Sequence, residues 1–365
     1  MKILVATAGY PSENNLSMMY VHTRNLYYKK FGLDVIVLNF SIKESYVYEG
    51  INVISLKYFY DLKEKFDILV CHAPNIRNHY KFLKKNENSF KKIVFFFHGH
   101  EVLFINKVYS KPFFYLKQNR IKEFFRNIYD VFKLKLWKSY FSKIADKSYF
   151  VFVSNWMLEE FKKWVKLSEN DLRNHISITY NSIGELFEKE KYNSEVIKEY
   201  DFVTIRGNLD GSKYCVDIVC QLAEKYPEYK FLLIGKGEFF KYYTKPQNLK
   251  WENKTCNHKE IIDILSKAKC ALMPTRTDAQ GLMACEIATF GIPLITSDIS
   301  VCHEVFDDFK NVTFIENENP IKNFDFIYEN LLKNYTFEKN NKYFAEKTVR
   351  YEINIFEKVL KMGEE

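Results

Sequence analysis

Short runs of consecutive apolar residues recur along the chain, separated by stretches whose apolar positions follow helical spacing. The first run, residues 3–8, ends in a Gly9-Tyr10-Pro11 turn, and a helical pattern over residues 18–30 is stopped by Gly32. Further runs lie at 35–40, 68–71, 93–97 and 150–153. Strands that are apolar throughout, rather than alternating, belong to parallel sheets covered on both faces. Residues 188–200 (EKEKYNSEVIKEY) interrupt the pattern with a charged stretch poor in apolar positions. The pattern then restarts, predicting strands at 202–205, 231–234, 270–273 and 293–296 and helices at 216–225, 259–267 and 282–290. The expectation is an α/β protein of two parallel-sheet domains, 1–187 and 188–347. A last amphipathic helix, 349–362 with Thr348 as its N-cap, makes a third segment, 348–365, expected to pack back on the first domain.

The 365 residues suit two domains of ordinary size, and a hydrophobic content of 47% supplies both cores. Seven cysteines without a C-x-x-C pair fit a reducing compartment better than a disulfide framework. The start MKILVATAGY enters a strand pattern without the basic, apolar and small-residue order of a leader. No run reaches the roughly 18 uncharged apolar residues that a membrane span needs. A cytoplasmic location is therefore expected.

The formal charge is +8, and residues 105–147 hold eleven basic and only three acidic side chains. From Ile121 onward Phe124, Phe125, Ile128, Phe132, Leu136 and Tyr140 recur at helical spacing, with Lys117, Arg126, Lys133 and Lys138 off that stripe. Such a helix suits either an anionic membrane surface, on the inner face of the cell membrane, or a core position with a solvated basic face. No recognised module accompanies the charge, so nucleic acid is not an expected partner.

The densest chemistry lies in PTRTDAQGLMACEIATFGIP, residues 274–293. A strand leads into a loop with Asp278 and Gly281, and a helix starts near Leu282 and carries Glu286. A helix start presents free N–H groups and the positive end of its dipole, which suits a diphosphate. Gly281 lets the backbone approach a ligand, and carboxylates nearby can accept hydrogen bonds from sugar hydroxyls. A capped helix with a solvated acid is the plainer alternative. Upstream, VTIRGNLDGSKYCVDIV (203–219) ends a strand at Arg206, passes a Gly-containing loop and reaches Lys213 before a helix. Two cations beside a helix start can stabilise a departing diphosphate, or they simply flank a surface loop.

These segments, in this order, resemble family-four GT-B glycosyltransferases, whose signature is an acidic residue, seven others and a Glu around a Gly-Leu step. The first acid is usually Glu; here it is Asp278, a shorter side chain with the same chemistry. Weaker matches fall in the same order. They are Gly235-Lys236-Gly237 after a strand, HGHE at 98–101, VSNWM at 153–157, YNSIGELF at 180–187 and Glu304 within SDISVCHEVF. The resemblance implies the GT-B fold, two Rossmann-like domains facing a central cleft. It implies that Asp278 meets donor-sugar hydroxyls, Glu286 the ribose, and the N–H groups of Gln280, Gly281 and Leu282 the phosphate and sugar. Lys213 and Arg206 would act on the leaving diphosphate, with His98 among the catalytic groups. Gly235, Gly237, Gly9 and Glu304 would complete the surroundings of the donor.

The implied reaction is transfer of a sugar from a nucleotide-sugar substrate to a hydroxyl of a glycan or polyprenyl-linked acceptor. It would proceed with retention, without a covalent intermediate, metal or cofactor, in capsule- or lipopolysaccharide-type assembly. Two other classes stay open: a catalytically silent GT-B-like nucleotide- or glycan-binding protein, and a sugar-nucleotide epimerase or polyol-phosphate transferase on the same scaffold. His98 and His100 could instead ligate a metal from one strand face, but no third ligand at suitable spacing accompanies them. No spacing supports a covalent nucleophile.

Overall fold

The computed structural model describes residues 1–13, 15, 17–116 and 119–362. The chain divides into two compact units. The first comprises Met1–Ile105, Phe125–Ser182 and Lys342–Glu365, and the second Asn106–Phe124 and Ile183–Asn341.

The first unit is built on strands β1 (Lys2–Thr7), β2 (Asp34–Asn39), β3 (Tyr46–Tyr48), β4 (Ile51–Ile54), β5 (Ile68–His72), β6 (Lys92–Phe97), β7 (Ser148–Phe152) and β8 (Ile176–Ile178). They form one sheet in the order β3-β4-β2-β1-β5-β6-β7-β8, parallel except for the antiparallel β3–β4 pair. All five residues of β5 and of β7 are buried, as are five of six in β1 and β6. This is what their unbroken apolar runs demand, since side chains alternate between two faces and both must be covered. On one face Ile68, Val70, Val94, Phe96 and Val151 meet Val21 and Tyr28 of the helix Met19–Lys30 and Val349, Ile353 and Phe356 of the helix Ala345–Lys361. On the other, Phe141 lies 5.1 Å from Phe95 and 5.5 Å from Phe150, ring to ring.

Two expectations are corrected here. The last helix starts at Ala345, not at 349, and its N-cap is Phe344. Thr348 lies inside its first turn and donates its hydroxyl to the Phe344 carbonyl at 3.2 Å. The apolar stripe reaches back one turn to the buried Ala345, which draws the helix upstream. The helix Arg120–Ile144 buries Asp130, Lys133, Leu134, Trp137, Tyr140, Phe141 and Ile144, so its inner stripe is not the one beginning at Phe124. Lys133, read as part of the polar face, is buried. Its Nζ donates to Asp130 Oδ1 at 2.7 Å and to the carbonyls of His100 and Leu103 at 2.9 and 2.8 Å. A carboxylate and two carbonyls together offset the cost of taking the ammonium out of water. Lys117 lies outside the described residues.

The second unit has six parallel strands, β9 (Tyr200–Asn208), β10 (Phe231–Lys236), β11 (Leu249–Glu252), β12 (Ala268–Leu272), β13 (Leu294–Ser297) and β14 (Val312–Ile315). Their order is β11-β10-β9-β12-β13-β14. From β9 the chain winds outward to β10 and β11, then returns to β12 and winds the other way. The switch point is therefore between β9 and β12, and ligands of such sheets bind outside the carboxyl ends of the strands there. Phe202 of β9 anchors the core, 4.9 Å from the Phe231 ring and 4.5 Å from Tyr328. Residues 106–124, inserted in sequence between two pieces of the first unit, supply Phe113 to this core, 5.1 Å from Phe239 and 5.7 Å from Tyr243.

Candidate active site

The carboxyl ends of β9 and β12 carry the two segments singled out in the sequence. β12 leads into the loop 273–281, and the helix Leu282–Phe290 follows. Gly281 is its N-cap at φ 74°, a left-handed conformation open to glycine at little cost, and it brings no side chain to cap the helix. The first hydrogen bond of this turn is Cys285 N–H to Gly281 O at 3.1 Å, so the N–H groups of the first turn point out of the helix start without intrahelical partners. Gln280 is buried, its amide nitrogen donating to Cys285 Sγ at 3.7 Å, while Leu282 is partly buried. Asp278 is partly buried and accepts from Ala279 N at 2.8 Å. A side chain on Gly281 would begin 3.6 Å from the other Asp278 oxygen.

Arg206 and Lys213 converge on the same place. Arg206 Nη2 donates to the Pro274 carbonyl at 2.5 Å, at the start of the signature loop. Its Nε is a buried atom with no hydrogen-bond partner among the described residues. Burial lowers the Arg206 guanidinium below its ordinary value, against the opposing pull of Cys215 and Asp278, so the Asp278 carboxylate is felt at this cation. Lys213 lies in the turn Ser212–Tyr214. Its Nζ sits 4.8 Å from the Tyr214 ring centroid and 5.5 Å from that of Tyr109, and the Arg206 guanidinium stands 5.3 Å over the same Tyr214 ring. Among the described residues no carboxylate is within ion-pair distance of Lys213. Aromatic faces attract a cation without neutralising it, so its charge stays available to an anion.

A set of contacts that sequence reasoning missed locks the two loops together. Arg276 forms a bidentate pair with Asp217, at 3.0 and 2.7 Å, and donates to the Ser212 carbonyl at 2.6 Å. Its backbone N–H and the Thr275 hydroxyl both reach the Lys213 carbonyl, at 2.9 and 3.1 Å. Arg276 stands within the quoted signature, but nothing in the spacing shows that Asp217 is its partner.

Glu286 is buried on the second turn of the helix. Its Oε1 accepts from Gly184 N at 3.1 Å and lies 3.5 Å from His258 Nε2. Burial raises this carboxyl, and His258 and the Gly184 N–H pull it back. Gly235 and Gly237 follow the β10 core, where the pairing with β9 shifts register. A side chain on Gly235 would overlap the Arg206 carbonyl and Leu209, so this glycine is required by the close approach of β10 to β9. Gly237 adjoins Asp210, and Glu304 is partly buried on the helix Ser300–Phe306.

His98 and Gly9 belong to the first unit, just past the carboxyl ends of β6 and β1. His98 Nε2 is 3.1 Å from His72 Nδ1, and its ring centroid is 4.5 Å from that of Tyr20. Burial and the nearby Arg24 push the His98 imidazole well below its ordinary value, so it is neutral near pH 7. β6 ends at Phe97, and the chain turns through Gly99, so His98 and His100 do not lie on one strand face. The Gly9 carbonyl accepts from the Thr7 hydroxyl at 2.8 Å.

Residues 188–348 match the family model described as Glycosyl transferases group 1. No curated protein sequence matches the chain. Among solved structures it is similar to sucrose-phosphate synthase from Thermosynechococcus elongatus, with TM-score 0.71, 12% identity and 98% of each chain covered. It is also similar to the pneumococcal O-GlcNAc transferase GtfA in complex with UDP and GlcNAc (TM-score 0.65, 10% identity, 99% of each chain). A third is the catalytic domain of Starch Synthase IV from Arabidopsis thaliana bound to ADP and acarbose (TM-score 0.60, 11% identity, 99% of each chain). At such identities the likeness speaks for the fold, which is GT-B. The domain match and these neighbours together support a glycosyltransferase.

Proposed function

We propose, on the premise that residues 188–348 form a group 1 glycosyltransferase domain, that the protein transfers a sugar from a nucleotide-sugar donor to a hydroxyl of a glycan or lipid-linked acceptor. The observation that carries the proposal is the convergence, at the β9/β12 switch point, of a helix start without a side-chain cap and an ammonium that lies over two aromatic faces, with no carboxylate at ion-pair distance among the described residues. The donor diphosphate lies at that helix start, with Lys213 and Arg206 beside it. As the bond between the anomeric carbon and the diphosphate oxygen breaks, the electron pair stays on the diphosphate. Lys213, Arg206 and the helix N–H groups stabilise the charge that develops there. The acceptor oxygen bonds to the anomeric carbon, and its proton passes to the departing diphosphate. Asp278 accepts hydrogen bonds from the transferred sugar, and Glu286 serves the ribose side. Transfer then proceeds with retention and without a covalent intermediate, and these cations, in place of a metal, neutralise the charge. Two of the similar structures hold ADP and UDP, which supports the donor class.

A panel of UDP-, GDP-, ADP- and CMP-sugars, assayed for hydrolysis and for transfer, tests the proposal. Turnover of one donor class is expected. Tight binding with no turnover would instead mark a silent binding protein, and interconversion of the sugar an epimerase.

For the acceptor we assign a lipid-linked glycan of capsule- or lipopolysaccharide-type assembly, met at an anionic membrane surface. No described helix is long and apolar enough to cross a membrane. The first half of the helix Arg120–Ile144, however, exposes Ile121, Ile128, Tyr129, Val131 and Phe132, each between 43% and 63%. Exposed cations flank them at Arg120, Lys122, Lys135 and Lys138. Apolar side chains interleaved with lysine fit the boundary of acyl chains and anionic headgroups. Cosedimentation with vesicles rich in anionic lipid is expected at low salt and is expected to vanish when Lys122, Lys135 and Lys138 become Glu. Binding that ignores those charges, or self-association of the protein in place of binding, would defeat the assignment.

A further inference from the structure

Residues 106–116 make direct contacts with the loops after β9 and β12 that bear Lys213 and Asp278. The Val108 carbonyl accepts from the Thr277 hydroxyl of the signature loop at 3.2 Å. The Tyr109 ring faces Lys213 Nζ. Ser110 Oγ is 2.9 Å from Ser212 Oγ, one residue before Lys213. Tyr115 donates its hydroxyl to Asp210 Oδ1 at 2.7 Å, and the same carboxylate accepts from Glu238 N at 3.0 Å, which ties in the loop after β10. Phe113 is the wedge that holds this strap down, inserted in the unit's core, and Tyr115 stacks on Tyr242 at 4.2 Å.

We infer that this strap sets the position of the Lys213 ammonium for the donor diphosphate, with Tyr109 as the positioning residue. The inference rests on the reading of Lys213 given above. A free lysine side chain spreads over many rotamers, and that freedom is lost when it meets a ligand. Two aromatic rings, Tyr214 from its own turn and Tyr109 from the strap, confine the ammonium before the ligand arrives. A carboxylate in their place would confine it too, but would cancel the charge that the diphosphate needs. The hydrogen bonds of the strap act in the same sense. Ser110 steadies the turn that bears Lys213, and Val108 steadies the loop that bears Asp278.

The test measures binding of UDP, GDP and ADP by calorimetry to the full-length protein and to four variants, carrying the tightest nucleotide through. The variants are Tyr109→Ala, Tyr109→Phe, Lys213→Ala and the double Tyr109→Ala/Lys213→Ala. Tyr109→Ala is expected to weaken binding about five- to tenfold, the scale of a partly desolvated cation–π contact. Tyr109→Phe keeps the ring face and should stay within about twofold of wild type. In the Lys213→Ala background, removing Tyr109 should cost nothing further, because its effect passes through the ammonium. Unchanged or tighter binding by Tyr109→Ala overturns the inference, as does a loss that persists in full once Lys213 is gone. If no nucleotide binds wild type, or Lys213→Ala binds as wild type does, the donor-site reading has failed and the inference falls with it.

Discussion

Replacing Lys213 by alanine is expected to lower kcat/KM for sugar transfer by about 10²- to 10³-fold, the scale of losing one group that stabilises developing charge. The effect should fall largely on kcat, since the charge on the leaving diphosphate is greatest as the glycosidic bond breaks. Stability should hardly change. The Lys213 side chain makes no ion pair among the described residues, and the loop that carries it is held by backbone and by Arg276, which stay in place. Arg206→Ala is a less clean experiment, because it also strips the Pro274 carbonyl of its partner and shifts the signature loop. Steady-state kinetics on the donor identified by the panel decide the matter. A Lys213→Ala enzyme within threefold of wild type, by the about 0.7 kcal/mol that such a factor represents, would remove Lys213 from the mechanism.

The largest stability effect is expected in the first unit, at Glu352. Its carboxylate accepts from Arg24 Nε at 2.9 Å and from the Tyr28 hydroxyl, and both members of the ion pair are fully buried. Arg24 Nη1 also donates to Asn181 Oδ1 at 2.6 Å and to the Tyr20 carbonyl at 3.3 Å, while Nη2 has no partner among the described residues. Burial drives the Glu352 carboxyl upward and Arg24 opposes it, so each charge is tolerated because of the other. Glu352→Ala would strand a buried guanidinium and is expected to cost about 3–5 kcal/mol. Replacing both partners, Arg24→Met with Glu352→Leu, should recover most of that loss, because no charge is then left without its counterion. Urea unfolding, with hydrogen exchange read in the helices Met19–Lys30 and Ala345–Lys361, separates these cases. A Glu352→Ala protein as stable as wild type would show that water or a rearranged neighbour replaces the carboxylate.

What the chain's pattern revealed depended on how local the determinant was. β1, β5, β6, β7 and β10 are apolar on both faces, and the helix Leu282–Phe290 lies between two glycines, so these elements were readable residue by residue. The strands Tyr46–Tyr48, Ile51–Ile54 and Leu249–Glu252 escaped notice. They are three or four residues long, too short to show a period, and only their neighbours in the sheet make them strands. Lys133 was misplaced because a periodicity argument has no way to anticipate that an aspartate one turn earlier and two carbonyls from a distant loop would satisfy an ammonium in the core. The candidate site divides in the same way. The chemistry of Asp278, Gly281, Glu286, Arg206 and Lys213 could be read from two contiguous segments. The Arg276–Asp217 pair and the strap could not, since both join residues far apart in the chain.

The position of the last helix also orders how the protein can be made. Every residue of the second unit has been synthesised once Asn341 has joined the chain. The first unit, begun earliest, still lacks Val349, Ile353, Phe356 and Val359 at that moment, and so lacks the apolar cover for Val94, Phe96 and Tyr28. Arg24, made more than 300 residues before Glu352, has no counterion until that residue has been added. The younger unit can thus close while the older one waits, and a nascent chain arrested after Asn341 would present an open greasy face with a bare cation inside it, the kind of surface that chaperones hold.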